Sequence, residues 1–330
     1  MKNRSGSTTL SHYTAPGWLP GGHLQTIYAY SLRQPMNFSY RRERWETPDG
    51  DFIDLDWLDP STESSSLVVL FHGLEGSSRS HYAVSLMNEL MCRGMRGVVV
   101  HFRGCSSEVN RLARAYHSGD SSEIDWILRR FREREPNLCL YAVGVSIGGN
   151  MLLKWLGEQG ENALRVVDRA AAISVPVDLR IGAQRLDYGW SKLIYTSWFL
   201  RSMKPKVLAK ISAHGLPIDG RALRAISTFR EIDDLYTAPI HGFKDAPDYW
   251  QRSSSKPWLR RIRVPTLMIG ARNDPFFPGD ALPTAAKVSA CVALEFSQTG
   301  GHVGFVTGKF PGDLNWLPSR ILRFFSQAVD

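Results

Sequence analysis

The stretch Gly144-Val-Ser-Ile-Gly148 follows the apolar run Leu138-Cys-Leu-Tyr-Ala-Val143 and precedes a segment in which Met151, Leu152 and Trp155 recur at helical spacing. Few backbones satisfy that order. A serine at a sharp strand-to-helix turn sits in a strained conformation, and the residues two before and two after it must be small for the chain to fold back on itself. Gly144 and Gly148 supply that room, so the segment has the form of a nucleophile elbow with the Ser146 hydroxyl at a helix N-terminus.

The rest of the chain repeats the same alternation. Short apolar runs predict strands over 67–71, 97–102, 138–145, 170–175, 264–271 and 292–297, with helices over roughly 80–94, 120–135, 148–160 and 313–327. Strands separated by helices imply a mostly parallel, twisted sheet covered on both faces. Upstream, Asp49-Gly50 lies between two alternating segments within 44–57, which predicts an antiparallel hairpin feeding that sheet. Ser61-Thr-Glu-Ser-Ser-Ser66 reads as a polar linker.

One segment breaks the rhythm. About eighty residues, 177–257, separate two strands where a crossover needs roughly a dozen. The expectation is a single domain over 1–330 with a helical cap, or lid, inserted at 177–257. Trp190, Tyr195, Trp198, Phe199, Leu200 and Met203 would line an apolar pocket, with ordinary helix packing as the competing reading.

Composition narrows the function. The four cysteines, at 92, 105, 139 and 291, have no C-x-x-C spacing, so no metal and no cofactor is expected, and the thiols, Cys139 in particular, are expected to pack rather than pair. The net charge of +8 is spread among acids, as in Arg129-Arg-Phe-Arg-Glu-Arg-Glu135, which reads as a solvated helix face and not as a nucleic-acid site. No apolar run reaches the ~18 residues of a membrane span, and Met1-Lys-Asn-Arg-Ser-Gly-Ser7 lacks an apolar leader core, which makes a cytoplasmic protein the default.

A serine hydroxyl needs a histidine to take its proton and a carboxylate to orient that histidine. In sheets of this type the partners follow in the order serine, acid, histidine. Asp274 falls in the turn after the 264–271 strand, at the carboxyl end where such sheets place their sites, and His302 follows the last strand among Gly300, Gly301 and Gly304. These three are the expected catalytic residues: Ser146 nucleophile, His302 general base, Asp274 orienting acid. The run from Leu67 into His72-Gly73 is where this architecture draws one oxyanion donor, so the backbone amides of Leu74 and Ile147 are the expected oxyanion hole and His72 a loop-stabilising side chain. The His214 and Asp219 pair, and Asp178 and Asp187, are expected to be structural.

These residues together resemble the YheT-like branch of the α/β-hydrolases, assumed esterases whose eukaryotic relatives include membrane-anchored lipid hydrolases. The likeness rests on His23-Leu-Gln-Thr26, Phe71-His-Gly-Leu-Glu-Gly-Ser-Ser78, Phe102-Arg-Gly-Cys-Ser106, Tyr116-His-Ser-Gly119, the run from Gly144 to Lys154, Thr237 to Phe243, Asp274-Pro-Phe276 and Gly300 to Val306. The resemblance implies an α/β-hydrolase fold, a Ser146–Asp274–His302 triad and carboxylic-ester hydrolysis. Three positions depart from the family pattern: His101 stands for asparagine, Gly21-Gly22 for Asn-Pro, and Asn273 for the first of two aspartates. The expected substrate is an ester of short to medium acyl chain or lipid-like character, with peripheral lipid contact compatible with the basic residues of 204–210. Acyl transfer or lipase or phospholipase action on the same triad, and a non-catalytic binding protein on a hydrolase fold, are the alternatives.

Overall fold

The computed structural model describes residues 13–32, 34–60 and 64–327. The extreme N-terminus and part of the 61–66 linker therefore lie outside the described residues. Eight strands, β1 (Arg41–Glu46), β2 (Phe52–Leu58), β3 (Ser66–Phe71), β4 (Arg96–His101), β5 (Cys139–Val145), β6 (Arg169–Ile173), β7 (Thr266–Ala271) and β8 (Val292–Ser297), form one sheet in the order β1-β2-β4-β3-β5-β6-β7-β8. The hairpin β1–β2 is antiparallel and joins β4 antiparallel, while β4, β3, β5, β6, β7 and β8 run parallel. The hairpin reverses through Gly50 at φ 82°, the conformation a glycine adopts at no steric cost.

Strand composition explains the burial. In β3, Leu67, Val69 and Phe71 join one core cluster while Val68 and Leu70 join the other. A sheet buried on both faces needs apolar residues at every position, which is why these strands read as continuous runs. Helices α2 (His81–Cys92), α3 (Ser121–Arg134) and α4 (Ile147–Gln159) follow β3, β4 and β5 in turn. Asp120 starts α3 by accepting from the amide of Glu123.

Three details differ from the expectations. A helix over Gly22–Ser31, α1, precedes the hairpin, although its mixed polar and apolar residues carry no clear period. Cys139 opens β5 at the exposed end of the strand, so it is not a packing residue; it stays a free thiol. The 129–135 face is ion-paired rather than simply solvated, with Arg129 on Asp125, Arg132 on Asp168 and Arg134 on Glu43.

Between β6 and β7 the chain is helical throughout its longer elements, beginning with α5 (Leu179–Leu186), which Asp178 caps through the Ile181 amide, and passing through the helix Ser197–His214. Two π-helical turns, Lys192–Thr196 and Asp233–Thr237, interrupt it. Asp187 accepts from the amides of Phe229 and Arg230, and Asp219 caps the next short helix.

Candidate active site

Ser146 occupies the turn between β5 and α4 with φ 54° and ψ −120°, a region non-glycine residues rarely enter. The neighbouring glycines are required by contact: a Cβ at Gly148 would stand 2.4 Å from the His72 carbonyl oxygen, and one at Gly144 2.6 Å from the Gly149 Cα. Ser146 is 8 % exposed.

His302 Nε2 lies 3.0 Å from Ser146 Oγ, and His302 Nδ1 lies 2.8 Å from Asp274 Oδ2. An ionised carboxylate can only accept, so Nδ1 carries the proton and Nε2 is left to accept from the serine hydroxyl. Asp274 Oδ1 accepts from the Phe276 amide at 2.7 Å, which fixes the carboxylate plane. The Phe276 ring stacks on the His302 ring at 4.0 Å and 16°. That face of the imidazole is closed to water.

The oxyanion candidates flank the serine. Leu74 and Ile147 both line the cavity that Ser146 and His302 enter. Neither amide donates to an acceptor among the described residues. A Cβ at Gly73 would press on Ser146 Cβ at 3.2 Å, so a glycine there lets the β3 loop come close to Ser146. His72 supports this loop from below: its Nδ1 donates to the Gly73 carbonyl at 2.7 Å and its Nε2 accepts from the Phe102 amide at 3.1 Å. Complete burial pushes its pKa down to about 3, and the accepting Nε2 has no room for a second proton.

Helix α1 is the part of the site that periodicity does not reveal. Thr26 Oγ1 accepts from the His302 amide at 2.8 Å, and Gln25 Oε1 accepts from the Gly300 amide at 2.8 Å and the Asn273 side chain at 2.9 Å. Asn273 Oδ1 in turn accepts from the Gly301 amide at 3.0 Å. One buried glutamine thus ties the acid loop to the histidine loop. Gly22, one of the positions departing from the family pattern, packs so closely on another, Asn273, that a Cβ there would sit 1.8 Å from its carbonyl oxygen. The only sequence signal for this role is the motif His23-Leu-Gln-Thr26 itself. His101, the third departure, lies away from the triad line and bonds Asp56 Oδ2 at 2.8 Å.

The cavity over Ser146 has a volume of about 510 Å³ and a mainly apolar lining from both the sheet edge and the helical segment, including Tyr195, Phe199, Val207 and Phe229. That volume falls in the usual range for small-molecule pockets, ~300–1,000 Å³. Glu75, the residue after Leu74, has φ 54° and a side chain only 4 % exposed; Lys206 approaches its Oε2 at 2.7 Å, Ser202 bonds the same oxygen, and Tyr116 donates to its Oε1 at 3.0 Å. No group of three or more metal-ligating side chains occurs among the described residues.

An eight-stranded, mostly parallel sheet with a strained serine at the end of its central strand defines an α/β-hydrolase, and residues 66–309 match the family described as the alpha/beta hydrolase fold. The chain belongs to that family. Within it the chain is a member of the YheT-like branch: it is 39% identical over 303 residues to the assumed esterase YheT of Escherichia coli, covering 91% of this chain and 88% of that protein. Phospholipase ABHD3 of Homo sapiens is 26% identical over 94% of this chain and 78% of its own length. The esterase Pf2001 of Pyrococcus furiosus has the same fold at 17% identity, with a TM-score of 0.56 over 88% of this chain and 93% of that one.

Proposed function

We propose that the chain is a serine carboxylic-ester hydrolase acting on esters of short to medium acyl chain or lipid-like character, with 177–257 as the cap of a single domain over 1–330. The observation that carries this reading is the continuous line Ser146 Oγ, His302 Nε2, His302 Nδ1, Asp274 Oδ2, opening into a largely apolar cavity. The names of the relatives, an assumed esterase and a phospholipase, agree with an ester substrate.

In this mechanism the Ser146 oxygen attacks the ester carbonyl carbon while its proton passes to His302 Nε2. The carbonyl oxygen takes up the negative charge and is held by the amides of Leu74 and Ile147, each worth roughly 3 to 4 kcal/mol in the transition state. Collapse breaks the bond to the alcohol oxygen, which leaves with the proton from His302, and the acyl group stays on Ser146. Water then repeats the sequence, giving its proton to His302, and the acid departs as Ser146 recovers its own. Asp274 remains ionised and holds the imidazole in the required tautomer.

The test is labelling by a fluorophosphonate, with turnover of aryl esters of increasing acyl length, in the native chain, Ser146→Ala and His302→Ala. The native chain should label and both variants should not, with turnover falling by at least about 10⁴-fold. Equal labelling of the native chain and Ser146→Ala would overturn the nucleophile, and a flat, near-zero response across acyl lengths would overturn the ester substrate.

A further inference from the structure

Of the large apolar side chains that the fold leaves outside, most lie on α1 and on the segment after α5. On α1, Leu24, Ile27 and Tyr30 are 54 %, 38 % and 59 % exposed; on the segment after α5, Tyr188, Trp190 and Leu193 are 80 %, 74 % and 67 % exposed. The two sets meet where the Tyr30 ring packs edge-on against Trp198 at 5.4 Å. Ile27, Tyr30, Ile194 and Trp198 also line the cavity that holds Ser146, so the patch and the cavity form one continuous apolar surface. A patch of this kind, continuous with a cavity, marks an interaction site.

Charge selects among the partners. No aspartate or glutamate occurs from Tyr13 to Arg42, and none from Tyr188 to Ile218, although the second stretch holds five lysines and arginines. Lys204, Lys206 and Lys210 turn inward, onto the carbonyls of Arg224 and Ile226, onto Glu75, and onto the carbonyls of Leu112 and Arg114. Arg201 remains exposed, three residues beyond Trp198 on the same helix. Tryptophan and tyrosine with apolar neighbours and an exposed arginine, on stretches without acids, is a composition that settles at the boundary of a bilayer.

We infer that the face formed by α1 and residues 188–201 docks on a lipid bilayer carrying anionic headgroups, placing the cavity mouth against the acyl layer. This rests on the same cavity as the hydrolase reading but needs no turnover, so the two stand or fall separately. The experiment is co-sedimentation of the full chain with phosphatidylcholine vesicles with and without phosphatidylglycerol. The native chain and Ser146→Ala should pellet alike and prefer the phosphatidylglycerol vesicles. The pair Trp190→Ser with Leu193→Ser, neither of which lines the cavity, should bind roughly tenfold or more weakly. Arg201→Gln should lose the preference for phosphatidylglycerol while keeping the residual binding. Circular dichroism and thermal melting of the variants check that they fold. Absence of pelleting by the native chain, or pelleting unchanged in the Trp190/Leu193 pair, overturns the inference. So does a native dimer by light scattering that the pair converts to monomer, because the face then joins two copies.

Discussion

The carboxyl end of the sheet, which carries Ser146, and the helical segment between β6 and β7 are built by opposite means. Strands β3 and β5 to β7 hold almost every side chain out of water, and the turn at the end of β5 is fixed by contacts too close to admit a Cβ at Gly144 or Gly148. The β6–β7 segment keeps Tyr188, Trp190 and Leu193 in solvent, interrupts its helices with two π turns, and buries the carboxylate of Asp233. One region is held by close backbone approaches; the other presents an apolar wall to the cavity. The proposed chemistry draws on the first, and the second supplies part of the apolar wall that a substrate in the cavity would meet.

If close fixation belongs to the carboxyl end of the sheet, the largest effect short of removing the proposed triad should come from the helix that braces it. Gln25→Ala leaves the Gly300 amide and the Asn273 side chain without their shared acceptor, so the loops bearing His302 and Asp274 lose their common tie. Misplacing such groups by about 1 Å costs roughly 10²-fold in rate, so kcat should fall by about that factor with KM little changed. Thr26→Val, which removes one acceptor but keeps the shape, should fall by about tenfold. Steady-state kinetics on a soluble aryl ester decides it. An unchanged kcat in Gln25→Ala would mean that the glycine turns alone hold the histidine loop.

A smaller effect should appear where the two regions touch. Glu75 binds Lys206 and Ser202 of the long helix through one oxygen and follows Leu74 directly, so it links the helical wall to a proposed oxyanion donor. Glu75→Gln should lower kcat/KM by about tenfold, and adding Lys206→Met should cost little more, since both variants remove one interaction. If the two losses add in full, the regions are energetically independent and the contact is only packing.

How much of this was legible in the sequence follows the same division. The parallel core, the hairpin at Asp49-Gly50 and the order of Ser146, Asp274 and His302 were all readable, because a doubly buried strand must be apolar throughout and a sharp turn must be small. Helix α1 was not readable: Gln25, Thr26 and Ala29 share one buried helical face, but that face is largely polar while Leu24, Ile27 and Tyr30 are exposed, so apolar spacing does not point to it. Cys139 was misplaced since apolar neighbours suggested burial, yet it starts the strand at an exposed end. Within 177–257, aromatic residues at helical spacing looked alike whether destined for the cavity wall, as Phe199 is, or for solvent, as Trp190 is. Spacing reports a helix; only the packing partner reports which face is covered.

The two regions should also respond to pH in opposite senses, a modest effect that separates them without touching activity. His72 has its pKa depressed from 6.5 to about 3, so the unfolded chain binds a proton that the folded chain refuses, and stability falls as pH drops below roughly 6.5. Asp233, buried at 8 % exposure and accepting from Trp250 Nε1 at 2.8 Å, has its pKa raised by desolvation from 3.8 to about 7. Its folded form holds a proton that the unfolded form releases, so its contribution falls as pH rises from about 4 and is lost above 7. Between about pH 4 and 6.5 the two slopes oppose each other in the native chain. Asp233→Asn keeps an acceptor for Trp250 and removes the titration, so the variant's denaturant midpoint should rise more steeply with pH over about pH 4 to 7 than that of the native chain. That steeper rise uncovers the acid-side decline to which His72, with the buried His81 and His117, contributes. Parallel curves for the native chain and Asp233→Asn would place the carboxylate in its charged form, and the helical segment would then owe its pH response to other groups.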